Sequence, residues 1–176
     1  MKYAILYDSH TGNTAKVAQT IRHALPEEDC LCFYSTIEYL KKPEIVKDAD
    51  LIFYGFCTNS GSCSETSQKI LADLPHTRIA LFGTAGFGMS EEYFKNIIDR
   101  VMTFLPVGAV MPGSYMCAGK MPFSVEDQYK PLVNDPFMKD RAEMMLKNFK
   151  LVAGHPNKAD LAACAEFAKK QYEAAK

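Results

Sequence analysis

The sequence predicts an α/β protein, a parallel sheet of five strands wound on both faces by helices. Three observations carry this. Short apolar runs alternate with amphipathic stretches five times along the chain, the pattern of successive strand–helix–strand units. The third run, "DLIFYGF" (50–56), is almost continuously apolar, as a strand covered on both faces must be. The 176 residues, 48% of them hydrophobic, suffice for one full core. No repeat or low-complexity linker divides them, so the chain reads as a single domain over 1–176.

In order, "KYAILY" (2–7) reads as a buried first strand. "NTAKVAQTIRHAL" (13–25) places Val17, Ala18, Ile21 and Leu25 on one helical face, and Pro26 closes that helix. "CLCFYS" (30–35) is the second strand. The polar connection "EYLKKPEIVKDA" then holds a turn of helix before the third strand. Ser64 caps a helix over 64–74 and Ser90 caps one over 90–105, where Glu91 and Glu92 favour the positive end of the helix dipole. Between them "RIALFGT" (78–84) is the fourth strand. A fifth lies in 108–119, where Pro112 argues for an edge position or a bulge. Residues 120–155 are more than a five-stranded doubly wound sheet needs and read as an insert, irregular over 120–136 and with one helical pattern over 137–152. A last helix over 160–175 is capped by Asn157. Met144, Met145 and Phe149 fall at helical spacing and read as core.

Charge and cysteines narrow the function classes. The formal net charge is −1, which offers nothing to nucleic acid or an acidic membrane surface. No apolar run reaches the roughly 18 residues of a membrane span. The start of the chain turns polar too soon for a signal peptide. Six cysteines occur without a Cys-x-x-Cys pair and the four histidines are scattered, so no zinc site is expected. Cys30 and Cys32 point the same way on one strand, a poor geometry for a bridge. A reduced, cytoplasmic protein fits.

In an open parallel sheet, ligands bind beyond the carboxyl ends of the strands. The loops there are "DSHTGNT" after strand one, "CTNSGSCS" after strand three and "GTAGFGMS" after strand four. All three are built of small residues, which let backbone approach a ligand. In the first, Ser9, Thr11 and Thr14 offer O–H donors, Gly12 allows close approach, and a helix starting near Asn13 aims its dipole at the same point. No Lys or Arg lies between Tyr7 and Ala15. The loop is therefore an anion cradle of neutral donors or, read more plainly, a Ser/Thr-rich helix cap. No G-x-x-x-x-G-K-[ST], no G-x-G-x-x-G and no loop cysteine is present, so nucleotide hydrolysis, dinucleotide binding and phosphocysteine chemistry are set aside. A phosphorylation-receiver domain would need an acidic pair after strand one and an Asp after strand three. Asp8 is a lone acid, and Gly55-Phe56-Cys57 ends strand three.

"S-H-T-G-N-T" at 9–14 resembles the FMN phosphate loop of the flavodoxins, which commonly reads S/T-x-T-G-x-T after strand one. "GTAGFGMSEEYF" and "GFCTNSGS" stand where that family's two flavin-contacting loops belong. The resemblance covers the five-strand alternation and the final helix, and it implies strand order 2-1-3-4-5. It further implies that Ser9, Thr11 and Thr14 bond the FMN phosphate by side chain, and His10, Gly12 and Asn13 by backbone N–H. A phosphate held by neutral donors is a trait of the family, and its uncompensated charge disfavours a fully anionic reduced flavin. The ring would lie between the other loops. Thr84, Ala85 and Gly86 would border its pyrimidine side and Phe87 would stack on it. Thr58, Asn59, Ser60 and Gly61 would present groups to N5 and O4, with Gly61 permitting a peptide flip on reduction. Cys57 stands where related sequences often carry Trp, which leaves one ring face open or covered by Phe56 or the insert.

The function implied is that of an electron carrier passing electrons from FMN to a partner reductase. Flavodoxins are typically strongly acidic and this chain is nearly neutral, so docking would rest on something other than bulk charge. The alternative is an FMN-dependent reductase of a small molecule, such as a quinone, a tetrapyrrole (bilin) or a metal complex. An interaction module binding another phosphate, or no cofactor, is the third reading.

Overall fold

The structure, a computed structural model, describes residues 1–75 and 78–176. Five strands, β1 (Tyr3–Tyr7), β2 (Cys30–Ser35), β3 (Leu51–Cys57), β4 (Arg78–Ala85) and β5 (Ser114–Ala118), form one sheet in the order β2-β1-β3-β4-β5. Every neighbouring pair is parallel. Strand order reverses between β1 and β3, so their carboxyl ends open a crevice beside the loop that follows β4.

Successive strand residues point to opposite faces, and the core divides accordingly. Tyr3, Ile5, Leu51, Phe53, Ala80 and Phe82 face helices α1 (Asn13–Ala24) and α7 (Lys158–Ala175). Ala4, Leu6, Ile52, Tyr54, Ile79 and Leu81 face α2 (Thr36–Tyr39), α3 (Glu65–Asp73) and α4 (Glu91–Met102). Both faces are thus sealed, which is why the central strands carry apolar residues in unbroken runs.

The expected caps are in place. Ser64 accepts from the Ser67 N–H, Ser90 from the Tyr93 N–H, and Asn157 forms a reciprocal capping box with Asp160. The connection after β2 is more ordered than its polar composition suggests. Ser35 and Glu38 form a capping box at α2, and Pro43–Val46 adds a 3-10 turn. The fourth helix stops at Met102 rather than 105 because its end tightens into i→i+3 bonds, Phe104 N–H to Val101 and Leu105 N–H to Met102, before Pro106 excludes helical backbone. The fifth strand is shorter than 108–119. Val110 and Gly113 accept from β4, but Pro112 between them has no N–H, and the regular ladder begins at Ser114 on the sheet edge. All six cysteines are free.

Beyond β5, the stretch 120–136 is not irregular as expected but folds into α5 (Phe123–Tyr129) and a 3-10 turn over Lys130–Asn134, and α6 (Lys139–Val152) follows. With the strand end they make a small core of Ala118, Met121, Phe149 and Val152, joined by Met145. Met144 is half exposed and outside it, a correction to its reading as core. This unit sits beside the carboxyl rim, where the candidate site lies.

Candidate functional site

The loop after β1 enters α1 through Gly12, whose φ of 85° is left-handed. An L side chain is strained there. Gly12 gives α1 no side-chain cap; the capping oxygen comes from Ser9, whose Oγ accepts from the Ala15 N–H at 3.1 Å. Thr11 Oγ1 accepts from Asn13 Nδ2 at 3.0 Å. Each of these hydroxyls therefore keeps its own O–H to donate. Among the described residues, the N–H groups of Thr11, Gly12, Asn13 and Thr14 meet no protein acceptor. Four orphan donors and two free hydroxyls at a helix N-terminus form a strong anion cradle. Thr14 is placed differently from Ser9 and Thr11. It is fully buried, and its Oγ1 lies 2.9 Å from Thr84 Oγ1, tying the first loop to the end of β4.

A cavity of about 240 Å³ opens beside the cradle. It brings together His10, Thr11, Asn13, Cys57, Thr58, Asn59, Thr84 and Gly86 of the expected residues. Ser9, Gly12, Thr14, Ser60, Gly61, Ala85 and Phe87 lie outside its lining. Thr58 contributes a buried hydroxyl oxygen with no partner, a group that a ligand would satisfy. Its N–H bonds the Thr84 carbonyl at 2.9 Å, joining the second loop to the third. A larger groove, about 700 Å³, runs between α2 and α3 along Tyr39, Leu40, Val46 and Ile70. None of its lining comes from the three rim loops, so size alone does not mark the site.

The second loop is a tight turn. Asn59 and Ser62 exchange both backbone hydrogen bonds, at 2.8 and 2.9 Å. Ser60 (φ 49°) and Gly61 (φ 76°) are both left-handed, as a type I′ turn requires. A Cβ at Gly61 would also stand 2.7 Å from Arg100 Nη1. Burial, and after it the Asp8 carboxylate, push the Cys57 thiol up from its ordinary value. It stays a neutral thiol near pH 7, with little nucleophilic character.

In the third loop Phe87 is half-buried and packs edge-on against Tyr93, ring centroids 6.3 Å apart. Its loop is clamped by a residue the sequence reading missed. Asn148 of α6 donates from Nδ2 to the Gly86 carbonyl at 2.7 Å, and its Oδ1 accepts from the Gly88 N–H at 3.1 Å. Asn148→Ala leaves both backbone groups unmet and is expected to cost about 2 kcal/mol. The melting temperature should fall by about 4–8 °C, with hydrogen exchange at Gly88 accelerated. An unchanged melting curve and unchanged exchange would refute the clamp.

Asp8 was missed as part of the site, while Lys120, which follows the fifth strand on the carboxyl rim, lines its cavity. Asp8 is buried at the end of β1, where its Oδ2 accepts from Ser64 Oγ (2.6 Å) and Ser67 Oγ (2.9 Å). Its Oδ1 lies 3.2 Å from His10 Nε2. One carboxylate thus fixes the N-terminus of α3 and draws the His10 ring toward the cavity, a side-chain role beyond the main-chain one expected of His10. Lys120 brings a cation to a rim whose first loop has none along its own sequence. Only the pairing of Asp8 with serines 56 and 59 positions away distinguishes it from an ordinary strand-end acid, and no local pattern carries that signal.

Among the described residues, no helix is long and apolar enough to cross a membrane. A family model described as "Flavodoxin domain" matches residues 4–169. The chain is 31% identical over 179 residues to the flavodoxin-like domain-containing protein BilS of Clostridium symbiosum (strain WAL-14163), covering 95% of this chain and 94% of that protein. It is 29% identical over 170 residues to BilS of Clostridioides difficile (strain CD3), covering 96% and 95%. Among solved structures, two-electron reduced Megasphaera elsdenii flavodoxin superposes with a TM-score of 0.51 at 23% identity, over 82% of this chain and 98% of that one. Oxidised Flavodoxin 1 from Bacillus cereus does so with a TM-score of 0.51 at 16% identity, over 98% of both. These two likenesses bear on the fold, which they share. With the sheet order β2-β1-β3-β4-β5 and a family match over nearly its whole length, the chain belongs to the flavodoxin family.

Proposed function

We propose that this protein binds FMN at the carboxyl rim and passes electrons from it to a partner reductase. The observation that carries the reading is the run of four orphan N–H groups, Thr11 to Thr14, at the start of α1. Such a run suits a phosphate ester, and the free hydroxyls of Ser9 and Thr11 add two donors beside it. The unpartnered Thr58 hydroxyl supports a polar ligand edge at the cavity wall. Bound FMN would supply the redox chemistry, accepting and releasing one or two electrons.

The chain's own residues would hold and orient the cofactor. The cradle fixes the phosphate, and the Thr14–Thr84 bond keeps the first and third loops in register. The Asn59–Ser62 turn and the Gly86–Gly88 segment border the ring's expected place, the latter held by Asn148. Cys57 stays a neutral thiol and takes no covalent part.

A second reading, an FMN-dependent reductase of a small molecule such as a quinone or a tetrapyrrole, is favoured by one observation. Cys57 lines the cavity where related sequences often carry Trp, so a ring face is left with little aromatic cover. Reductive titration of the purified protein loaded with FMN separates the two. Reduction in two resolved one-electron stages, with slow reoxidation by small acceptors, is expected of the carrier. A single two-electron stage with rapid reoxidation by a quinone or tetrapyrrole would overturn that reading in favour of the reductase. A colourless protein that takes up no FMN would overturn both.

A further inference from the structure

The loop's own sequence contains no cation, yet the fold places Lys120 in the lining of the cavity beside it. Lys120 stands two residues past the end of β5, and its backbone is held on several sides. Its N–H donates to the His155 carbonyl at 2.8 Å, and its carbonyl accepts from Asn13 Nδ2, also at 2.8 Å. The preceding Gly119 donates to the Ala85 carbonyl at 2.9 Å. A Cβ at Gly119 would come within 2.8 Å of the Asn13 amide nitrogen, so the strand end and the start of α1 are in close contact. Lys120 lines two adjoining cavities, each shared with Thr11 and Asn13 of the cradle. Its ammonium rests 4.8 Å from the ring centroid of Phe123, itself well exposed. Among the described residues it has no carboxylate partner. An exposed ammonium over a phenyl ring is weakly held, whereas a phosphate dianion offers a charge-assisted hydrogen bond about twice as strong as a neutral one.

We propose that Lys120 is the cation of this cradle and a specificity-determining residue, selecting a phosphorylated flavin over its dephosphorylated form. The inference rests on the flavin reading above. The pull on the phosphate comes from a residue 107 positions from Asn13, on the segment that also carries the Phe123 ring.

The test is equilibrium titration of the full chain, freed of flavin, with FMN and with riboflavin, followed by quenching of flavin fluorescence. Lys120→Met keeps the aliphatic stem against Phe123 and removes the charge. It is expected to weaken FMN about tenfold at low salt and less at high salt, to leave riboflavin unchanged, and to be rescued by Lys120→Arg. Equal losses for FMN and riboflavin would show that Lys120 acts through packing and would overturn the proposal. So would a Lys120→Met protein that binds FMN as the wild type does, while the flavin reading stood. Wild-type protein that binds neither flavin would instead overturn the flavin reading, and this proposal with it.

Discussion

Under the function proposed above, Ser9→Ala/Thr11→Ala is expected to retain no flavin on purification. Each hydroxyl already accepts one hydrogen bond from the protein, Ser9 from the Ala15 N–H and Thr11 from the Asn13 amide. What remains is one O–H donor apiece beside the four orphan N–H groups. A hydrogen bond to a charged group contributes about 1.5–3 kcal/mol. Removing two should weaken FMN by about a hundredfold or more, at 1.4 kcal/mol per factor of ten. Loss of the Ser9 cap costs the fold only about 1 kcal/mol, so far-ultraviolet circular dichroism should show a folded protein with little bound FMN. Wild-type affinity in the double variant would remove the cradle from the binding site. The single variant Thr14→Val should behave differently. Its hydroxyl is buried against Thr84, so the change should loosen the junction of two loops and register in stability as well as in affinity.

Gly55→Ala is expected to be the most destabilising single-methyl addition in the sheet. Gly55 and Phe82 are register partners on β3 and β4, and the Phe82 ring lies across the glycine. A Cβ at 55 would stand 2.2 Å from Phe82 Cζ. Phe82 is fully buried between the sheet and helices α1 and α7, so it has no free volume to move into. Overpacking of this kind costs about 3 kcal/mol, and for a chain of this length the melting temperature should drop by about 6–12 °C. The cause can be isolated with a double-mutant cycle. In a Phe82→Leu background, which removes the clashing ring atoms, the added cost of Gly55→Ala should shrink well below its cost alone. Strictly additive costs would contradict the clash.

Much of the fold was legible because it is written locally. Strand and helix periods are properties of adjacent residues, and the caps at Ser64, Ser90 and Asn157 are bonds spanning two or three positions. The elements misjudged were those whose ends depend on something else. Strand β5 was overextended because its ladder depends on β4 accepting a segment interrupted by Pro112. The turn of helix expected in the connection after β2 is present at Pro43–Val46, and the structure adds the short α2, whose Ser35–Glu38 box has no apolar period to announce it.

By itself the sequence determined the α/β class, the place of the three small-residue loops on one rim, and the hydroxyl and backbone donors of "DSHTGNT". Backbone donors and small side chains are set by local residue choice. The tertiary structure decided which charged and amide groups surround those loops. Asp8 reaches the serines of α3, Asn148 reaches back 62 positions to Gly86, and Asn13 meets Lys120 across 107. Partners at such separations share no sequence period, and only closing the chain on itself brings them within hydrogen-bonding distance. The cradle that looked cation-free along the chain therefore has a lysine at its edge in the fold.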